Sequence, residues 1–396
     1  MRIVVGLSGG VDSSVAAALL QEQGHEVIGL YMRNWHDESV TIDNACPWID
    51  DANDAMLVAA HLGIPFQVID LSDAYKQRIV DVMFAEYAAG RTPNPDVLCN
   101  REIKFDSFLS AALDLGAEAV ATGHYCQRDV LKTSNGDVYR LLAGADANKD
   151  QSYFLCQLNQ DQIRLARFPI GHLKKSEVRE EARRFGLPTA EKKDSQGLCF
   201  VGKVKLPVFL QQQLEVKPGQ IIEISKDHPK LIARAEERRA NPLVDVSAVA
   251  FVPEDGKAVG EHPGAHFFTI GQRKGLQVGG KEEPLFVIGR DVTHNVVYVG
   301  QGANHPGLLR RALRMRREDV HWLRPDRAAA WQMKGNEVFD VRFRYRQPLR
   351  KAKLLGSPED DFVCLLFDSA QTGIASGQFA AWYEGDACIG SGTIHD

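Results

Sequence analysis

No stretch of this chain has about 18 consecutive apolar residues, the length a membrane-spanning helix needs, so no membrane segment is expected. No basic region followed by an apolar run and a small-residue cleavage site opens the chain, which goes directly into an apolar strand. No signal peptide is therefore expected, and the expected location is the cytoplasm. Cysteine is sparse: seven residues, an odd number, with none spaced Cys-x-x-Cys. That argues against a disulfide framework and against the simplest zinc or iron–sulfur sites, and it turns attention to individual thiols. No excess of positive charge announces nucleic acid either, since the formal net charge is -5. Any RNA-binding surface must be a local patch. Internal repeats and low-complexity tracts are absent. No metal-ligand cluster is apparent.

What is present is an ordinary globular composition, 44% hydrophobic and 25% charged, over 396 residues, enough for two or three domains. The first 15 residues organise the rest. Ile3 to Val5 form a continuous apolar run, the pattern of a strand buried on both faces of a parallel sheet. Gly6, Leu7, Ser8, Gly9, Gly10, Val11, Asp12 and Ser13 follow at once, and Ser14 to Gln23 reads as a helix stopped by Gly24. A strand, a Gly-rich turn and a helix together aim backbone N–H groups and a helix N-terminus at an anion. The loop does not end in Gly-Lys-Ser/Thr, so it is not of the Walker A type.

Beyond it, Val27 to Met32 reads as a second buried strand, with Met32 a candidate either for adenine contact or for the core. Helices are expected over 50–62, 73–89 and 103–115, with a strand over 66–70. The segment 91–100 (RTPNPDVLCN) carries two prolines and reads as a rigid extended loop. It would deliver Asp96 and place Cys99 just before a helix N-terminus, where a thiol becomes more acidic. A short strand over 119–122 ends at Gly123 and His124, where ligand contacts collect in such sheets. Lys149, Asp150 and Gln151 form a polar link between two elements. A second thiol, Cys199, follows the basic loop KKDSQGL.

After about Val201, strand-like runs separated by Gly and Pro replace the βα alternation: 219–224, 248–252, 266–270, 285–292, 296–300, 337–345, 362–368 and 379–383. The expected class is therefore α/β, a doubly wound parallel sheet, followed by a small β-rich central domain and a C-terminal β-barrel. The expected boundaries are 1–202, 203–280 and 281–396. The charged stretch near 225–253 looks like an insertion. Arg342 to Lys353 (RFRYRQPLRKAK) interleaves arginine with aromatics, which suits RNA backbone contact and base stacking. The arginines of 310–317 read instead as a solvated strand face.

Ser8 to Ser13 resemble the SGGxDS loop of the N-type ATP pyrophosphatases, which cleave ATP between the α and β phosphates. The full set covers almost the whole chain: GLSGGVDSS (6–14), GRTPNPDVLCNREIKF (90–105), ATGHY (121–125), NKDQSYFL (148–155), KKDSQGLCF (192–200), GEHPG (260–264), TIGQRKGL (269–276) and RYRQ (344–347). Together these closely resemble the tRNA-specific 2-thiouridylase family. The resemblance implies ATP-dependent replacement of the wobble-uridine C2 oxygen by sulfur in the tRNAs for Lys, Glu and Gln. It implies that Gly6 to Ser13, Met32 and Gly123 hold ATP, with Asp12 beside Mg²⁺. It assigns a persulfide to Cys199, delivered by a sulfur carrier or cysteine desulfurase, and a partner thiol to Cys99. Both routes of sulfur release would end in a Cys99–Cys199 disulfide. Asp96 would move a proton near the flipped base. Asn94, Pro95, His124, Lys149, Asp150, Gln151, Arg344, Tyr345 and Gln378 would contact tRNA. The alternatives are another pyrophosphatase-loop synthetase, which would need no thiols, and a nucleotide-binding RNA module.

Overall fold

The computed structural model describes residues 1–35, 47–193, 209–211, 213–357 and 359–396. Strands β1 (Arg2–Gly6), β2 (Glu26–Arg33), β3 (Phe66–Asp70), β4 (Ala119–Ala121) and, after a hairpin of β5 (Cys126–Thr133) and β6 (Gly136–Ala143), β7 (Ala166–Arg167) define the first unit. Five of them form one parallel sheet in the order β3-β2-β1-β4-β7. β1 lies at its centre, and its apolar run is buried on both faces. Ile3 and Val5 pack with helix α1 (Val11–Glu22), whereas Val4 faces the cluster containing Met32, Cys99 and Phe108. That alternation is why the run has no polar residue to spare. The sheet is covered by helices on both faces.

Two local expectations change. The segment 91–100 is not extended throughout, because a helix begins inside it, Pro95–Cys99. Proline at the first helical position loses only an N–H that would lack a partner anyway, and Asn94 caps the turn by accepting from the Val97 N–H at 3.2 Å. The chain then runs on through a π-wound stretch, Asn100–Ser107, into Phe108–Asp114. Cys99 therefore closes the first helical segment rather than preceding a helix, and the helix-end argument for its acidity falls. The helix expected over 73–89 is present, but Lys76–Val80 within it is also π-wound.

β8 (Gly219–Glu223), β9 (Lys257–His262), β10 (Leu285–Asp291) and β11 (Val296–Gln301) make a four-stranded sheet, β10-β11-β8-β9, that runs across residue 280. Residues 248–252 and 266–270 are not strands. A 3₁₀ turn, Ala265–Phe267, occupies the second stretch after Gly264, whose φ of +155° suits glycine.

β12 (Leu309–Trp322), β13 (Asn336–Arg342), β14 (Arg350–Leu355), β15 (Phe362–Thr372), β16 (Phe379–Glu384) and β17 (Ala387–His395) form a closed antiparallel barrel, since β12 pairs with both β15 and β17. Closure leaves no free edge among these six strands. The barrel sheet nevertheless extends: β6 pairs with β17 through Leu142 and Ala387 and through Leu141 and Cys388. The β5–β6 hairpin thereby joins the first unit to the last.

The charged stretch near 225–253 contains a helix, Pro229–Ala240, whose buried Leu231 packs with the four-stranded sheet, and a 3₁₀ turn, Pro242–Val246, seated on β12 and β15 of the barrel. Asp245 is fully buried, pairs with Arg238 and accepts the Arg311 N–H at 2.8 Å, while its carbonyl takes Arg310 Nε at 2.8 Å. The arginines of 310–317 are largely occupied within the fold. Arg311 and Arg317 donate to backbone carbonyls, and Arg314 lies 4.6 Å from the ring of Phe362.

Candidate active site

The Gly-rich loop leaves β1 at the carboxyl edge of the sheet and turns into α1. Gly9 adopts φ +71°, and a Cβ there would lie 2.2 Å from the Asp51 carbonyl oxygen, so no other residue fits. Gly10 caps α1 without a side-chain hydrogen bond, which leaves the first-turn N–H groups to an external acceptor. Ser13 Oγ accepts the Ser8 N–H at 3.1 Å and lies 3.2 Å from Ser8 Oγ, which folds the loop over two hydroxyls. Leu7 and Val11 are buried in the core, so they can offer a nucleotide only their backbone.

Gly123, after β4, abuts this loop. A Cβ there would come within 2.7 Å of the Asp12 carbonyl carbon and the Ser13 nitrogen. Gly6 lies against Met32 and Phe108; a Cβ on it would stand 3.4 Å from each. The loop, the end of β2 and the helical stretch that carries Cys99 are thus packed on one another. Cys99 itself is fully buried.

Asp12 has a second environment that the sequence did not disclose. Lys175 Nζ lies 2.8 and 2.9 Å from its two carboxylate oxygens, and Tyr125 OH donates to one of them at 2.7 Å. Gln151 holds Tyr125 in turn, its Oε1 accepting the Tyr125 N–H at 2.9 Å. The loop residues suit a phosphate chain, with open N–H groups, a positive φ and two hydroxyls. For Mg²⁺ the donor set is thinner: Asp12 would share with the metal the lone pairs that Lys175 and Tyr125 leave.

The Asn94–Cys99 turn is positioned from the barrel. Gln378 Nε2 donates to the Thr92 and Pro93 carbonyls at 2.8 and 3.1 Å, and its Oε1 accepts from Asn94 Nδ2 at 3.4 Å. Gly377 permits the approach, since a Cβ there would sit 2.9 Å from the Thr92 backbone. From the four-stranded sheet, Arg290 donates to the Gly90 carbonyl at 2.7 Å and to Thr92 Oγ1 at 3.0 Å. All three units therefore meet at this turn. Pro95 and Asp96 are half-buried within it.

Residues 1–203 match the family described as the tRNA methyl transferase HUP domain. Residues 244–301 match the tRNA methyl transferase PRC-barrel domain, and 312–394 the aminomethyltransferase beta-barrel domain. The chain is 57% identical over 400 residues to the tRNA-specific 2-thiouridylase MnmA of Flavobacterium johnsoniae, with 99% of each covered. It is 55% identical to that of Christiangramia forsetii, again with 99% of each covered, and 44% identical to that of Karelsulcia muelleri, with 99% of this chain and 98% of the relative covered. The chain belongs to the tRNA-specific 2-thiouridylase family.

The other residues singled out for this 2-thiouridylase family member occupy varied places. His124 is buried between Phe105 and Phe168, ring centroids 6.2 and 6.3 Å away, with its Nδ1 2.7 Å from Thr122 Oγ1. Burial, with Lys104 nearby, holds it well below its ordinary value, so it is neutral. Asp150 is buried and pairs with Arg342 of the barrel at 2.9 Å, while its other oxygen accepts the Gly144 and Ser152 N–H groups. Lys149 is half-buried beside it. Arg344 is drawn inward, donating to the Ile270 carbonyl at 2.9 Å and filling the space left by Gly373. Tyr345 packs on Phe154 at 4.5 Å, and the exposed Arg346 lies 5.0 Å from its ring. The outward cation of the RYRQ motif is thus Arg346. Cys199 lies outside the described residues, although Lys192, just before that stretch, pairs with Asp51 and Asp54 of α2 (Pro47–Leu62) at 2.7 and 2.5 Å. Lys175 and Tyr125 were missed because neither stands near Asp12 in sequence; ATGHY contained Tyr125, but its OH could not be aimed without the fold.

Proposed function

We propose that this protein thiolates the wobble uridine of tRNA at C2, using ATP. The reading rests on one packing relation: Gly6 of the phosphate loop lies against both Met32 and Phe108, and Phe108 belongs to the helical stretch that carries Cys99. A nucleotide loop and a thiol-bearing helix that share a boundary suit chemistry needing both.

ATP supplies the adenylyl group that makes a pyrimidine carbonyl oxygen a good leaving group. The backbone N–H groups of Gly9 to Ser13 would hold its phosphates and Gly123 would leave room for the nucleotide, while Met32, buried against Gly6 in the core, would offer the adenine only its backbone. Lys175 and Tyr125 fix the Asp12 carboxylate in one orientation, and Mg²⁺ would take the lone pairs they leave. Asp96, at the start of its helix, exchanges the proton of the flipped base. Asn94 and Gln378 hold the turn that presents it.

Sulfur arrives as a persulfide on Cys199 from a sulfur carrier or cysteine desulfurase. Either its terminal sulfur attacks C2 and the Cys99 thiolate then attacks Cys199 Sγ, breaking the S–S bond and leaving the outer sulfur on C2, or Cys99 attacks the inner sulfur first and releases hydrogen sulfide for the attack on C2. AMP leaves with the original oxygen. Both routes leave a Cys99–Cys199 disulfide, which an external dithiol reduces with two electrons. The tRNAs for Lys, Glu and Gln are the expected substrates, held by the Tyr345 and Arg346 surface and by Lys149.

The test is incubation with ATP, a sulfur source and unmodified tRNA, followed by nucleoside mass spectrometry. The expected product is 2-thiouridine, with AMP and pyrophosphate released in step. Binding of tRNA with neither product would identify a binding module instead.

A further inference from the structure

Away from the carboxyl edge of the sheet, a cavity of about 260 Å³ opens between the end of α1, β7 and the start of β5. Its polar walls are Gln23, His25, Gln127, Arg128, Arg167 and His172. No carboxylate lines it. The nearest acid on the same strand, Asp129, is bound to Arg140 on β6. Among the described residues the Arg128 side chain makes no hydrogen bond. Its Nε is buried without a partner, and its guanidinium lies 4.9 Å from the ring of Tyr139. Arg167 spends one nitrogen on the Arg164 and Ala166 carbonyls, at 2.9 and 2.8 Å. Burial, together with repulsion from Arg164 on Arg128 and from Arg128 on Arg167, pushes the pKa of both guanidinium groups down.

Two like charges held together in a half-buried cavity, one of them with an orphaned donor, are costly unless an anion joins them. The cavity is also built to exclude competing acceptors. The last carbonyls of α1 are closed by the Gly24 and His25 N–H groups, which donate to Gln21 and Leu20. The turn that carries His172 is pressed onto β5 by Gly171, where a Cβ would fall 1.7 Å from the Cys126 carbonyl oxygen.

We infer that this cavity is a phosphate-binding site, distinct from the ATP loop, in which Arg128 and Arg167 grip one phosphate group. Paired guanidinium groups match phosphate oxygens in geometry and charge. The phosphate can come from the RNA backbone or from free phosphate or pyrophosphate. Only the RNA source rests on the function proposed above.

Arg128→Gln in the full chain tests the site, because that side chain supports no other hydrogen bond. If RNA is the source, tRNA binding weakens and its log–log salt slope drops by about one unit for the lost phosphate, while ATP binding is unchanged. If free phosphate is the source, millimolar inorganic phosphate raises the melting temperature of the parent but not of Arg128→Gln, and tRNA binding is unaltered. Arg128→Lys, which keeps the charge, restores most of either effect. Unchanged tRNA affinity and slope together with unchanged stabilisation by phosphate would overturn the assignment. Formation of 2-thiouridine is read separately, so failure of this site is distinguishable from failure of the thiolation reading.

Discussion

Lys175 Nζ sits within 2.9 Å of both oxygens of Asp12, although the two residues are 163 positions apart. Lys175 opens its own helix, Lys175–Arg184, which packs beside α1. The pair sets the charge at the mouth of the phosphate loop. Lys175→Met is expected to lower tRNA-dependent AMP release by about 100- to 1,000-fold, the scale for removing one preorganised electrostatic group. Asp12→Asn should do at least as much. In the double variant the losses should not add, because the two side chains act as one unit. Pyrophosphate release measures all three, and additive losses would separate the two residues.

Gly9→Ala forces a Cβ onto the Asp51 carbonyl at a positive φ. ATP binding should be lost, and stability should drop by about 1–3 kcal/mol from backbone strain. Calorimetric titration and urea unfolding report the two effects. Normal ATP affinity in Gly9→Ala would remove the loop from the nucleotide site.

Cys199→Ser and Cys99→Ser should each abolish 2-thiouridine while tRNA binding persists. Cys199→Ser should still release pyrophosphate, since adenylation of the oxygen precedes sulfur transfer, but not AMP, which leaves only when sulfur attacks. Loss of tRNA binding in Cys199→Ser would instead indicate a structural thiol.

The buried Asp150–Arg342 pair joins the first unit to the barrel. Arg342→Met leaves a buried carboxylate without its cation and should destabilise the protein by about 3–5 kcal/mol. Urea unfolding measures this, and a change below about 1 kcal/mol would show the pair to be well solvated.

His262 is held at about 4, mainly by burial, against an ordinary value of 6.5. Its Nδ1 accepts the Gly264 N–H at 3.0 Å, a bond the protonated ring cannot accept. The folded state thus binds this proton less readily than the unfolded chain. Its stability is fully present above pH 6.5 and declines as pH falls toward 4. His262→Asn should flatten part of that decline in melting temperature, and an identical pH profile would assign the decline elsewhere.

Much of this was readable from residue order alone. The run Ile3 to Val5, the adjacent glycines and the apolar start of α1 are local patterns, and local sterics and hydrophobic periodicity decide strand, turn and helix there. The same reading missed the helix start at Pro95, because proline forbids a helix interior yet suits its first turn, and only the Asn94 cap distinguishes the two cases. It missed the β5–β6 hairpin, whose half-exposed strands alternate weakly and gain their partner from β17.

By itself the sequence determined the Gly-rich turn between β1 and α1 and the class of the sheet, because each depends on residues that are neighbours along the chain. Only the tertiary structure decided which cation faces Asp12, that Asp150 is an inter-unit ion pair, that Arg344 turns inward while Arg346 faces out, and that Gln378 clamps the turn before Cys99. Those outcomes depend on burial and on contacts between segments 74 to 286 residues apart, and the energy of such contacts is absent from any local pattern.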